Sequence, residues 1–159
     1  MTQCICSWTH ASQKIHHQIL QMKQGYVLRA DISSFFDCIL HDLLISKIRE
    51  RIHEDDVIEL ILKVIKTCSL EKTGALIEKV RGIYQGSTLA PVLSNIYLMK
   101  MDTRIERETV FYVRYSDDIL AFFEDSEKAE AYRKQLSLYL EELGLELNEQ
   151  KTRIVSFNE

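Results

Sequence analysis

The apolar positions of this chain follow two periods. Over 12–23, Ile15, Ile19, Leu20 and Met22 sit at roughly helical spacing, with Ser12 placed as a cap and Gly25 as a stop. Over 39–51 and 54–68, Leu40, Leu43, Leu44 and Ile48, then Val57, Ile58, Ile61, Leu62 and Ile65, recur three and four apart. They predict two core-facing helices broken at 53–55. A longer helix is expected over 89–107, capped by Thr88, with Leu89, Val92, Leu93, Ile96 and Tyr97 as its buried stripe. The single Pro91 falls in its first turn, where a missing N–H costs little. The last helix, 126–143, places Ala129, Tyr132, Leu136, Leu140 and Leu143 on one face and ends at Gly144.

Shorter runs lie between these stretches. Residues 26–30 read as a strand ending at Asp31, and 69–80, with Lys72-Thr73-Gly74 in the middle, as a short hairpin. Two β-branched and aromatic runs, 110–113 and 119–123, flank Tyr115-Ser116-Asp117-Asp118 and predict a second hairpin with both carboxylates at its tip. Short strands are expected at 145–147 and 153–157, around a turn at 148–152. This order suits an α+β fold of the ferredoxin-like, split βαβ kind. About four antiparallel strands would pack with helices on one face, plus a small accessory hairpin.

Composition narrows the class. A chain of 159 residues, 46% hydrophobic, suits one domain with one core, 1–159. It holds no apolar run of the length a spanning helix needs and no signal-peptide pattern, so a soluble, cytoplasmic protein with no membrane partner is expected. Cys4, Cys6, Cys38 and Cys68 lack the spacing of a disulfide framework and read as reduced thiols. Cys4 and Cys6 with His10 have no second ligand pair at a usual zinc spacing, and His16 and His17 point in different directions on a helix, as on a solvated face. A net charge of −4 runs against the basic surface usual for nucleic-acid binding.

Asp117-Asp118 alone reads more readily as a solvated turn than as a metal site. Held together, adjacent carboxylates favour a hard, oxygen-preferring cation such as Mg²⁺. A strand-borne Asp31 beside a hairpin-borne Asp117 would form the kind of oxygen cluster that holds two metal ions about 3.5–4 Å apart for in-line phosphoryl transfer. A glycine-flanked Gln85 just before a helix can lay backbone close to a base pair or phosphate.

Three segments in order carry a family resemblance. Asp31-Ile32-Ser33-Ser34-Phe35-Phe36-Asp37 with His41-Asp42-Leu43-Leu44, Arg81-Gly82-Ile83-Tyr84-Gln85-Gly86-Ser87 with Ala90-Pro91-Val92-Leu93-Ser94-Asn95, and Tyr115-Ser116-Asp117-Asp118 resemble motifs A, B and C of reverse transcriptases. They look most like the prokaryotic group II intron type, including maturase- and retron-like members. Relatives more often have Pro at Tyr84 and Ala at Ser116; neither difference removes a catalytic oxygen. The resemblance covers about 12–157.

It implies an RNA-directed DNA polymerase palm with fingers largely and thumb wholly absent, adding dNTPs to a primer 3′-hydroxyl. Asp31, Asp117 and Asp118 would be catalytic and, with the Ile32 carbonyl, would bind two Mg²⁺ ions, for which Mn²⁺ could substitute. Ser33, Ser34, Phe35, Phe36, Gln85, Gly86, Tyr115 and Lys151 would contact substrate. Phe36 would lie under the incoming sugar and exclude a 2′-hydroxyl, while Lys151 would approach the leaving pyrophosphate. The partners implied are RNA template, DNA primer and dNTP, with intron RNA or a chain bearing fingers and thumb as further candidates. A competing reading is a palm remnant, or one subunit of a split assembly, that binds nucleic acid or protein without catalysis. A nucleotide cyclase is disfavoured because the Gly-Gly hairpin of diguanylate cyclases is missing.

Overall fold

The computed structural model describes residues 8–66, 69–70, 76–77 and 79–158, with side chains over 12–66 and 79–158. In chain order the elements are α1 (Trp8–Met22), β1 (Gln24–Asp31), α2 (Phe35–Cys38), α3 (His41–Arg49), α4 (Asp55–Ile65), β2 (Ser69–Leu70), β3 (Leu76–Ile77), α5 (Ala90–Glu108), β4 (Phe111–Tyr115), β5 (Asp118–Phe123), α6 (Ser126–Glu141) and β6 (Arg153–Asn158). They form two compact units. One comprises the chain up to Ser33 and from Leu98 onward; the other is Ser34–Tyr97. Cys4, Cys6, Cys68 and the Lys72-Thr73-Gly74 turn lie outside the described residues, as does the side chain of His10. No helix among the described residues is long and apolar enough to cross a membrane.

The first unit is built on a four-stranded antiparallel sheet ordered β4-β5-β1-β6, the ferredoxin-like order. Its register assigns the two faces, because residues opposite one another point to the same side. Tyr112, Arg114, Ile119, Ala121, Leu28 and Ala30 share one face and are buried. The buried side of α6 lies here, with the Tyr132 ring 5.2 Å from Phe123, and Asp102 of α5 meets Tyr112 and Arg114. The other face carries Val113, Leu120, Arg29, Asp31 and Asp118. α1 covers part of it, Ile15 packing with Phe111 against Val113. Gly25 allows the close approach of strand edges there, since a Cβ would lie 2.8 Å from the Phe123 carbonyl oxygen.

Several boundaries differ from the expected ones. Ser12 lies inside α1, which ends through Lys23 in the left-handed region (φ 62°) and not at Gly25. The expected strand at 145–147 is a single bridge, Ile32 to Leu147, because Gly144 first turns the chain out of α6. Gly144 does so with φ 68° and paired bonds, its own N–H to Glu141 and that of Leu145 to Leu140. The cap of α6 is Asp125, whose carboxylate accepts from the Lys128 amide at 2.7 Å.

In the second unit, α2 is a separate turn and α3 begins at His41, not at residue 39. Leu40 and Val57, expected in the core, are exposed, as are Leu89, just before α5, and Val92 within it. The buried positions of α5 are Ala90, Leu93, Tyr97, Leu98, Met101 and Ile105, a stripe rotated from the expected one. The Leu89 amide is met by the Ser87 hydroxyl, so Ser87 takes the role expected of Thr88. The accessory hairpin pairs Ser69 with Ile77 and Leu70 with Leu76.

Candidate active site

The first unit gathers Asp31, Ile32, Ser33, Tyr115, Asp117, Asp118 and Lys151 at one end of its sheet. The hairpin is tighter than expected. Tyr115 pairs with Asp118, leaving only Ser116 and Asp117 in the loop, so Asp118 belongs to β5 and only Asp117 sits at the tip. Asp118 is also the cross-strand partner of Asp31, and the two carboxylate-bearing positions therefore face the same side of the sheet. Asp117 is tied to the same place through its carbonyl, which accepts from the Ile32 amide at 3.2 Å.

A second turn closes on this end. The Asn148 amide donates to the Asp31 carbonyl at 2.8 Å, and the Ser33 amide donates to the Glu146 carbonyl at 2.8 Å. The Asn148 carbonyl and side-chain oxygen both accept from the Lys151 amide, fixing the 148–151 turn. From it the Lys151 ammonium reaches the Asp31 carboxylate at 3.0 Å. Arg29, on the same face as Asp31, brings its guanidinium within 3.7 Å of Asp118. Each of these two carboxylates thus has a basic neighbour. Among the described residues, no three His, Cys, Asp or Glu side chains are gathered as a ready-made metal cage.

The residues behind the hairpin carry no motif in the sequence. Arg114 is fully buried, with Nε and Nη2 on the two Asp102 carboxylate oxygens at 2.8 and 2.6 Å. Tyr112 donates its hydroxyl to Asp102 Oδ1 at 2.6 Å, and Arg114 Nη1 donates to the Ser116 carbonyl at 2.9 Å. Burial, and then the Asp102 charge, hold the Tyr112 phenol well above its usual range, so it remains a protonated donor. The available signal was a charged residue at alternate spacing from Tyr112 in a strand otherwise apolar.

The second unit holds Ser34, Phe35, Phe36, Gln85 and Gly86. Phe35 is a core residue; Phe36 is half-buried, its ring 5.1 Å from that of Phe35. Gln85 and Gly86 are the exposed centre of a turn closed by the Ser87 amide on the Tyr84 carbonyl. Gly86, at φ 105°, supplies the positive angle this turn requires. Buried His41 donates from Nε2 to the Gly82 carbonyl at 2.7 Å, and the Ile83 amide donates to the Phe36 carbonyl, so the loop before α5 is anchored on α2 and α3.

Residues 2–158 match the family described as reverse transcriptase (RNA-dependent DNA polymerase). This chain belongs to the reverse transcriptase family. Among curated relatives, the reverse transcriptase domain is 27% identical to Protein YkfC of Escherichia coli over 192 residues, covering 92% of this chain and 50% of that protein. It is 31% identical to the putative COX1/OXI3 intron 2 protein of Saccharomyces cerevisiae over 84 residues (53% of this chain, 10% of that one). It is 34% identical to the retron Mx65 reverse transcriptase of Myxococcus xanthus over 74 residues (44% and 17%). The chain thus spans between a tenth and a half of the length of these relatives. Its fold is shared with apo telomerase from Candida tropicalis truncated from the C-terminal domain, at TM-score 0.75 and 17% identity over 98% of this chain and 36% of that one.

Proposed function

We propose that this reverse transcriptase domain is the palm of an RNA-directed DNA polymerase. It would transfer deoxynucleotides from dNTPs to a primer 3′-hydroxyl on an RNA template. The observation that carries the reading is the cross-strand pairing of Asp31 with Asp118, with Asp117 in the adjoining two-residue loop. The donor set is all oxygen, which fits a hard divalent cation such as Mg²⁺, with Mn²⁺ as a substitute. The Lys151 ammonium on Asp31 is a positive charge already standing at one of these carboxylates. Asp31 and Asp117 would hold the ions, with Asp118 and the Ile32 carbonyl in support. Two bound ions would activate the primer hydroxyl and steady the triphosphate and its leaving group.

The chain's own residues supply the positioning. The Ile32–Asp117 and Asn148–Asp31 hydrogen bonds hold the strand end, the loop and the Lys151 turn together, so Lys151 can donate toward a departing phosphate. Phe36 selects against the 2′-hydroxyl, and Gln85-Gly86 offers backbone to the template–primer duplex.

The net charge of −4, with Lys151 and Arg29 each beside a site carboxylate, favours as second reading a binding module without catalysis. One experiment separates them: dNTP binding measured with and without Mn²⁺, in the parent and in Asp117→Ala and Asp118→Ala. Divalent-dependent dNTP binding lost in both variants supports the polymerase palm. Binding that ignores metal and both substitutions supports the other reading.

A further inference from the structure

A buried ion pair is poor evidence for stability. Taking both charges out of water offsets most of their attraction, and apolar side chains of similar volume often serve as well. Arg114 and Asp102, 0% and 2% exposed, therefore need another explanation. Two of the guanidinium's N–H directions are committed to Asp102 in a bidentate fork, with the Tyr112 hydroxyl on Oδ1 fixing the carboxylate from another side. A third points out of the core to the Ser116 carbonyl at 2.9 Å. An apolar residue at 114 could fill the space but could not make that bond.

Ser116 is where such a bond matters. It stands at the first position of the two-residue loop with φ 58°, a conformation that residues bearing a Cβ avoid. A strained loop persists only where its surroundings over-determine it. Asp117 and Asp118 follow directly, so the Ser116 peptide sets the direction in which both leave the turn.

We propose that Arg114 is a positioning residue: anchored on α5 through Asp102, its guanidinium holds the Ser116 turn and thereby aims Asp117 and Asp118. This rests on the reading of those aspartates as metal-binding, and the same logic applies to outer-shell groups that orient ligands from behind.

The test replaces the network with apolar residues of similar size, Tyr112→Phe/Asp102→Leu/Arg114→Met. It reads three quantities on the whole chain: thermal unfolding, the amide resonances of Ser116, Asp117 and Asp118, and affinity for Mn²⁺ alone. The expected result is a Tm at or above the parent's, turn amides shifted or broadened, and Mn²⁺ affinity weakened by about 10–100-fold. Turn amides and affinity equal to the parent's would overturn the proposal. Should that variant not fold, Arg114→Lys keeps the charge paired with Asp102, but a single ammonium cannot also span to Ser116. It should weaken Mn²⁺ binding, and adding Ser116→Gly, which tolerates positive φ without the bond, should restore it. Failure of glycine to restore binding would mark Arg114 as merely structural. If Asp117→Asn leaves Mn²⁺ binding intact in the parent, the metal reading fails, while the amide resonances still decide whether Arg114 sets the turn.

Discussion

Replacing Lys151 with methionine removes a cation from Asp31 while keeping most of the length of the side chain. The ammonium lies 3.0 Å from Asp31 Oδ2, and a divalent ion on that carboxylate competes with it. In water, unit charges at 3.0 Å attract by roughly 1.4 kcal/mol. The Lys151 side chain is 63% exposed and that of Asp31 10%, so the pair is only partly screened and falls in the upper half of the range of about 0 to 1 kcal/mol measured for surface pairs. Since 1.4 kcal/mol is tenfold, the competition amounts to a factor of about two to five in affinity. Lys151→Met should therefore tighten Mn²⁺ binding by about two- to fivefold, more at low salt than near 0.15 M, where screening acts over about 8 Å. Lys151→Arg, which keeps the charge, should not tighten it. Free Mn²⁺ followed by its EPR signal during titration, at two salt concentrations, gives the answer. Unchanged or weaker binding in Lys151→Met, with Asp31→Asn confirming that the ion sits on Asp31, would rule out this competition. In a complete polymerase the same variant should lose rate while gaining metal affinity, because a donor near the leaving phosphate is gone.

Other expectations follow from neighbouring features. Phe36 is half-buried and not locked in the core as Phe35 is, so Phe36→Val or Phe36→Ala in a complete polymerase should raise ribonucleotide relative to deoxyribonucleotide incorporation; unchanged discrimination in primer extension would return Phe36 to a packing role. The 159-residue chain alone should fold but extend primers little or not at all, since positioning of reactants accounts for about 7–11 kcal/mol of a barrier. Robust synthesis on an RNA template, abolished by Asp117→Ala, would show that these residues suffice. The Lys128 amide bond holds the exposed Asp125 carboxyl below its usual 3.8; its contribution to stability is present above that pH and is lost as pH falls through the lower folded value. Asp125→Ala should therefore lower Tm at pH 7, and a gap that fails to close below 3.8 would contradict the cap.

The parts of the fold that could be read from sequence are those whose signal is local. The strand ending at Asp31, the hairpin around Ser116-Asp117 and the stop at Gly144 depend on β-branched runs, turn residues and a positive φ that only nearby residues control. Periodicity also identified α3, α4 and α5 but not their rotation. Val57, Leu60 and Val64 share a side of α4 and are all exposed, and the buried stripe of α5 runs through Ala90, Leu93 and Tyr97, leaving Leu89 and Val92 outside. An apolar stripe records that something can be covered; its neighbours determine which part is. The segment 145–147 differs for a related reason: the Leu145 amide turns back to Leu140 of α6 and the Glu146 carbonyl accepts from Ser33, leaving the single bridge of Leu147 to Ile32.

At the site itself the same division has a chemical meaning. Asp31, Asp117 and Asp118 are recognisable because the proposed chemistry would require those residue types at a strand end and a turn, whatever surrounds them. Asp102 and Arg114 are twelve residues apart, on a helix and a strand, and nothing in either segment alone requires the other. Read singly, Asp102 is a helix carboxylate and Arg114 a strand cation, both ordinary on a surface. Their meaning appears only when α5 packs against β4 and removes both from water, for then neither can remain without the other. The packing that makes the pair obligatory also directs a guanidinium N–H of Arg114 at Ser116. One side chain therefore links a buried ion pair to the candidate catalytic loop. Substitutions at 102 or 112 should act on the site through the Ser116 carbonyl and not through stability alone.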